Sequence, residues 1–88
     1  MDFNVVFLRG LDGGQARCLT EWFDDLTDRL KSVDYQCKVI DEYVCDVSFE
    51  FKKFDITLNN DYIKFTLKGH PTEYYSVYVT DVISVEFK

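Results

Sequence analysis

The clearest pattern along the chain is a stripe of apolar residues in its first third. Its members recur at spacings of three, four, three, four and three, and they are Ala16, Leu19, Phe23, Leu26, Leu30 and Val33. Because an α-helix turns once per 3.6 residues, this spacing places all of them on one face. Asp12 followed by Gln15 resembles a capping box at the start of a helix. The sequence therefore predicts an amphipathic helix over roughly residues 13–33.

A short apolar segment precedes this helix. Residues 3–8 read Phe-Asn-Val-Val-Phe-Leu, which is typical of a strand buried on both faces. The segment 10–14 that follows contains three glycines, and these predict that the strand ends there.

The remainder of the chain alternates apolar and polar residues with a period of two, which indicates strands. We predict them at residues 35–40, 43–58, 62–68, 74–79 and 83–87. The alternation slips by one residue at Lys52 and Lys53, which predicts a β-bulge or a break. The expected fold class is α+β in one domain, residues 1–88, in the order β-α-β-β-β-β with room for a further strand. One amphipathic helix would pack on a mostly antiparallel sheet of five or six strands.

Charge narrows the choice of partner. Sixteen Asp and Glu against ten Lys and Arg give a net charge of -6. Phosphate binding needs clustered cations, so direct binding of nucleic acid or of an anionic membrane is not expected. An acidic surface attracts basic proteins and speeds their encounter. The competing explanation is that the charge only keeps a small domain soluble.

The chain has three cysteines, Cys18, Cys37 and Cys45, so at least one of them stays outside any disulfide within the chain. The sequence begins Met-Asp-Phe without a basic, apolar leader, and no segment has the ~20 apolar residues of a membrane span. These features predict a cytoplasmic protein with reduced thiols. We expect Cys18 and Cys37 to behave as small buried hydrophobic residues.

The catalytic and ligand-binding motifs that we considered are not matched. There is no Cys-x-x-Cys pair, and the one histidine, His70, stands in a predicted Gly-His-Pro turn. The loop from Arg9 to Gly14 has neither of the glycine patterns that bind nucleotide phosphates. We therefore predict neither an enzyme nor a cofactor or metal site.

Acidic residues on the helix form the first candidate site. Glu21, Asp24, Asp25 and Asp28 fall within about 100° of arc, opposite the apolar stripe. Asp34, Asp41 and Glu42 follow in the sequence and are expected to extend this charge. Carboxylates a few Å apart can resemble a run of phosphates. The sequence thus predicts an inhibitor or decoy that docks in the basic groove of a nuclease or nucleic-acid-binding protein, the alternative being a solvated helix face.

Tyrosines form the second candidate site. Tyr62, Tyr74 and Tyr78 are expected on one outer sheet face, where exposed Tyr is typical of protein interfaces. The alternative is that their rings only cover this face by lying over Lys64 and Thr66. With the edge of the last strand, this face predicts the alternative function, a structural or assembly module that binds a second copy or joins a complex. In size and charge alone, the chain resembles immunity proteins and phage-encoded inhibitors of nucleases, restriction systems or CRISPR effectors.

Overall fold

The structure, a computed structural model, describes residues 5–30 and 32–88 of the chain. In these residues one strand and one helix are followed by six strands. The elements are β1 (Val5–Asp12), α1 (Gly13–Arg29), β2 (Tyr35–Asp41), β3 (Val44–Glu50), β4 (Phe54–Leu58), β5 (Tyr62–Leu67), β6 (Tyr74–Tyr78) and β7 (Ser84–Phe87), with a 3-10 turn at Val79–Asp81.

The seven strands form two antiparallel sheets. The first has the order β2-β3-β1-β7, and the second has the order β4-β5-β6. Every pairing in both sheets is antiparallel. The fold is therefore α+β, as predicted, but the prediction of a single sheet with five or six strands needs correction to two sheets with four and three.

The division between the sheets lies at the one-residue slip predicted at residues 52–53. Residues 51–53 form a turn, in which the backbone N–H of Phe54 donates to the carbonyl of Phe51 at 3.2 Å. The slip is therefore a break between strands rather than a bulge within one. It returns Phe54 to the core, where its ring packs edge-on against Phe49 with the ring centroids 5.4 Å apart. Because these rings fill the space between the sheets, the chain cannot continue as one flat strand.

Helix α1 closes the core between the two sheets. The ring of Phe23 is fully buried, and its centroid lies 4.9 Å from that of Phe49 and 5.9 Å from that of Phe54. Phe65 from the second sheet packs edge-on against Phe49 at 5.0 Å. Tilted and edge-on rings contribute attraction beyond the apolar area that they bury. A cluster of phenylalanines thus joins the helix to both sheets.

The start of the helix confirms Asp12 as the cap, whereas the Gln15 side chain of the predicted capping box bonds elsewhere. The Asp12 carboxylate accepts the backbone N–H groups of Gly14 at 3.1 Å and Gln15 at 3.2 Å. These donors have no partner inside the helix, so the cap satisfies them. The side chain of Gln15 contacts another part of the fold, since its Oε1 accepts a hydrogen bond from the hydroxyl of Tyr75 at 2.8 Å.

The end of the helix corrects the predicted length. The last helical residue is Arg29, and Leu30 has φ -131° and ψ -73°, outside the helical region. Leu30 is 41% exposed, so its place on the buried stripe was predicted wrongly. Val33 is buried, but it lies in the loop after the helix, where its N–H donates to the Thr27 hydroxyl. The four other members of the stripe are buried as predicted: Ala16, Leu19, Phe23 and Leu26.

Strand β1 continues beyond its predicted end because of a β-bulge. Gly10 has φ +65°, a conformation that glycine adopts without steric cost, and its N–H donates to the Asp46 carboxylate at 2.9 Å. The bulge lets the strand run past its predicted last residue, Leu8, to Asp12, so the strand does end within the glycine segment but four residues later than predicted. Only one face of β1 is fully buried, which corrects the prediction of burial on both. The first residues of the predicted strand, Phe3 and Asn4, lie outside the described residues.

The cysteines correct a further prediction. Cys18 and Cys37 are exposed, whereas Cys45 is buried. Cys18 lies on the flank of the helix, away from the stripe. Cys37 lies in β2, which is the edge of its sheet and has six exposed residues out of seven. In the described part of the chain, the helix is too short and too polar to cross a membrane.

Candidate functional site

The acidic residues of the helix are exposed on its outer side. We call Glu21, Asp24, Asp25 and Asp28 the helix acidic row. Glu21 pairs with Arg17 at 3.2 Å, and Asp24 accepts a hydrogen bond from the Tyr35 hydroxyl at 2.8 Å. The row therefore carries less uncompensated charge than its sequence indicates.

Asp25 has the tightest partner in this row. The guanidinium of Arg29 donates to its carboxylate at 2.6 and 2.9 Å and also pairs with Glu73 at 3.0 Å. The hydrogen bonds from Arg29 hold the pKa of the Asp25 carboxyl below its ordinary value of 3.8. Conversely, the bonds to Asp25 and Glu73 raise the pKa of Arg29. Asp25 thus stays ionised, but its charge is matched by the arginine.

The three acids predicted to extend this row lie at different places. Asp34 is exposed just beyond the end of the helix. Asp41 is the last residue of β2 and Glu42 begins the turn to β3, where the Asp41 carboxylate accepts the N–H of Tyr43 at 2.8 Å. The carbonyl of Tyr43 accepts the N–H of Gly13, the first residue of the helix. Asp41 and Glu42 therefore stand at the start of the helix and not beside its C-terminal half.

The predicted tyrosines share the outer face of the second sheet, which we call the tyrosine face. Tyr62 lies opposite Tyr78 in the register, and Tyr74 lies opposite Thr66. Tyr74 and Tyr78 are 53% and 55% exposed, while Tyr62 is half-buried. The ammonium of Lys64 lies 4.3 Å from the centroid of the Tyr74 ring. A cation therefore already occupies part of this face.

A different acidic surface is formed where the loops meet at the start of the helix. Four short segments gather there, residues 12–13, 41–43, 59–61 and 79–83. They contain no Lys or Arg and five acids, which we call the acidic end: Asp12, Asp41, Glu42, Asp61 and Asp81. All five belong to loops or strand ends, so none is directed into the core.

Contacts between the loops show that they belong to one end of the molecule. Asp12, Tyr43 and Asp81 line one open cavity of about 310 Å³. The N–H of Val79 donates to the carbonyl of Asp61 at 3.0 Å, which joins the fourth segment to the others. The turns at the opposite end contain lysines at positions 52, 53 and 68 together with the acids Asp34 and Glu73. The acidic end therefore differs from the opposite end in that its four segments contain no basic residue.

Exposed apolar side chains accompany this negative charge. Ile83 is 82% exposed, Tyr43 is 70% exposed and Ile40 is 51% exposed. Together with the half-buried Val44, these residues form what we call the apolar patch. Large apolar side chains exposed side by side indicate a binding surface more strongly than single scattered ones.

Neither the apolar patch nor three members of the acidic end, Asp12, Asp61 and Asp81, were predicted from the sequence. The sequence did contain an indication of this surface, because each of its turns joins an acidic residue to large apolar residues. The segments read Ile-Asp-Glu-Tyr at 40–43, Leu-Asn-Asn-Asp-Tyr at 58–62 and Asp-Val-Ile at 81–83. Turns normally consist of small and polar residues, so apolar side chains there need an explanation.

Nothing in the described residues assembles into a metal site. No group of three or more His, Cys, Asp or Glu side chains among them is placed to hold a metal ion. His70 lies in the predicted turn, where its N–H donates to the Leu67 carbonyl. Although Cys37 is exposed at the sheet edge, desolvation of its sulfur atom and the neighbouring Cys45 raise the pKa of its thiol, which disfavours the nucleophilic thiolate.

In comparisons with known proteins, the chain matches no protein-family model, no curated protein and no solved structure.

Proposed function

We propose that this chain is a small acidic binding protein that engages a basic protein partner. An inhibitor or decoy acting on a nuclease or nucleic-acid-binding protein is the form of this function that best suits its charge. The single observation that carries the proposal is the acidic end, where five carboxylates and no Lys or Arg occupy the four loops.

The acidic end suits this role better than the helix acidic row. Glu21 and Asp25 have arginine partners on the same helix, so a basic groove would have to displace Arg17 and Arg29. Such exposed ion pairs are weak and can be exchanged, which keeps the row available as a secondary contact. Glu42 and Asp81 make no ion pair with any described residue, so they attract a cation without that competition.

Capture of a partner tests the proposal. The wild-type chain would be immobilised, exposed to a host lysate at low salt and washed with increasing salt. We expect a basic protein to be retained and then released as salt rises, because exposed charges are screened over about 8–10 Å at physiological ionic strength. If the captured protein is a nuclease, adding the chain to the purified enzyme should slow cleavage.

Matched baits make the result specific. A Glu42→Lys/Asp81→Lys bait should lose the partner, whereas a Glu21→Lys/Asp28→Lys bait has the same net charge and should retain most of it. If the first bait retained the partner and the second bait lost it, the docking surface would be the helix acidic row. Equal retention by both baits would contradict binding through acidic residues.

The tyrosine face supports a second function, an assembly module. Tyr74 and Tyr78 are more than half exposed, and no described element covers them. A second copy docked there would make the mass of the protein in solution depend on concentration. Substituting both tyrosines by Ser should then restore the monomer. A mass that is independent of concentration would count against self-association through this face.

A further inference from the structure

The apolar patch is one continuous surface along the acidic end. Two open cavities lie side by side on it, and Gly10, Val44 and Ile83 line both. Ile40 borders one cavity, and Tyr43 borders the other. An extended peptide laid across Ile83 would therefore contact apolar side chains on both sides.

Several acidic residues line or adjoin this surface. Asp12 and Asp81 line the first cavity, and Asp46 lines the second. Asp41 and Glu42 lie between Ile40 and Tyr43 in the sequence. Arg9 also lines the second cavity, but its guanidinium pairs with the Glu86 carboxylate at 3.5 Å. The border of the patch is thus predominantly anionic.

Backbone geometry holds the patch in place. A Cβ atom at Gly10 would lie 2.4 Å from Cδ1 of Ile83, so the Ile83 side chain rests on a position that only glycine leaves open. The N–H of Ile83 donates to the carbonyl of Arg9 at 2.9 Å. Tyr43 is fixed through its backbone to the first residue of the helix. A surface that is ordered before binding loses little conformational entropy when a partner docks.

Charge and apolar exposure together define the occupant. A second copy of the chain would bring a net charge of -6 against this acidic border, which opposes pairing of two such ends. A neutral apolar segment would leave the carboxylates without a partner. A cationic segment with a large apolar residue satisfies both features, because its lysines or arginines face the border and its apolar side chain fills the patch.

From this geometry we infer that the apolar patch is the docking site for a cationic protein segment with a large apolar anchor residue, which inserts between Ile40, Tyr43 and Ile83. This inference rests on the proposed function and specifies the chemistry of its partner. The anchor residue sets the orientation of the bound segment and supplies part of its affinity. The acidic border sets the rate of encounter and the salt dependence of binding.

Two synthetic peptides of equal lysine content test the inference. One carries a central Trp-Leu pair, and the other carries Ser-Ser at the same positions. We expect the Trp-Leu peptide to bind the wild-type chain about tenfold more tightly, since burying one large apolar side chain is worth at least that factor. In Ile83→Ser this advantage should fall to less than about threefold, and Ile40→Ser is a second variant with the same expectation.

Leu58→Ser is the matched control, because Leu58 is 64% exposed and lines a separate cavity with Phe51 and Phe87. It should keep the full advantage of the Trp-Leu peptide. Ile83 is mostly exposed, so its replacement should leave the thermal unfolding midpoint nearly unchanged, and this midpoint is measured first. Equal binding of the two peptides to the wild type, or an advantage that Ile83→Ser retains, would overturn the inference.

The outcomes separate this inference from the proposed function. If both peptides bind equally and Glu42→Lys/Asp81→Lys abolishes both, the proposed function stands and the docking site is wrong. If neither peptide binds the wild type at low salt, the docking site is wrong, and the proposed function is decided by the lysate capture alone. Dimerisation of the wild-type chain that Ile83→Ser removes would assign the patch to a second copy and would also overturn the inference.

Discussion

The side chain of Ile83 lies directly over Gly10, and a Cβ atom at position 10 would come within 2.4 Å of its Cδ1 atom. Gly10 has φ +65° at the bulge of β1, and the loop that carries Ile83 follows the last strand of the other sheet. This contact joins the two halves of the chain at the acidic end. Ile83 is 82% exposed, and its backbone N–H donates to the carbonyl of Arg9, which fixes the backbone at this position.

Replacing Gly10 by Ala should destabilise the fold and disturb the apolar patch. An L-residue at positive φ costs about 1–2 kcal/mol, and the new methyl group would push Ile83 away. Urea unfolding monitored by tryptophan fluorescence measures the change in the free energy of unfolding. Gly69→Ala is the matched control, because Gly69 shares the positive φ but a Cβ atom there would have no neighbour within 4 Å. If both variants lost equal stability, steric contact with Ile83 would not contribute.

Removing the helix cap should weaken the fold moderately. Asp12→Ala leaves the N–H groups of Gly14 and Gln15 without their acceptor, which costs about 1 kcal/mol. Asp12→Asn keeps an acceptor oxygen and should recover most of this loss. Urea unfolding of the two variants checks the prediction. Equal stability of Asp12→Ala and the wild-type chain would contradict the capping role.

The phenylalanine cluster should dominate the stability of the core. Phe23→Ala removes a fully buried ring that contacts Phe49 and Phe54, at a cost of about 3–5 kcal/mol. A domain of this size has a small margin, so the variant should be largely unfolded at room temperature. Circular dichroism would measure the loss, and Phe23→Leu should retain a cooperative transition. A cooperative transition for Phe23→Ala at the wild-type midpoint would contradict this account of the core.

The ion pair between Asp25 and Arg29 should make a pH-dependent contribution to stability. The pKa of Asp25 is lower in the folded chain than its ordinary value of 3.8, so the unfolded state binds the proton first. The stabilising contribution is therefore complete above about pH 5 and is lost as pH falls below the ordinary pKa. The stability difference between the wild-type chain and Asp25→Asn should shrink over this range. A difference that stays constant down to about pH 2 would contradict the assignment.

Local periodicity was sufficient to predict the helix and its cap. The stripe from Ala16 to Leu26 and the acceptor at Asp12 depend on residues close in sequence, and both are present as predicted. The division into two sheets was not predictable, because the slip at residues 52–53 fits a bulge as well as a break. Only the contact of Phe54 with Phe49 across the sheets distinguishes the two.

The candidate site was harder to predict because it depends on distant residues. The partial neutralisation of the helix acidic row had a local signal that was not used, since Arg17 and Arg29 each stand four residues from an acid of the row. The pairing of Arg29 with Glu73 spans 44 positions, so it had no such signal. The acidic end is assembled from four separate loops. Apolar residues such as Ile40 and Ile83 looked like ordinary strand residues in the sequence, and only the sheet edges leave them exposed.

The most direct test of the central claim is the affinity of one lysine-rich Trp-Leu peptide for three forms of the chain, measured at low and high salt. The forms are the wild type, Glu42→Lys/Asp81→Lys and Glu21→Lys/Asp28→Lys, and the two variants have the same net charge. The account predicts that affinity falls at least about tenfold for the first variant and less than about threefold for the second. It also predicts that binding to the wild type weakens with salt. Equal affinities for the two variants would contradict a docking surface at the acidic end.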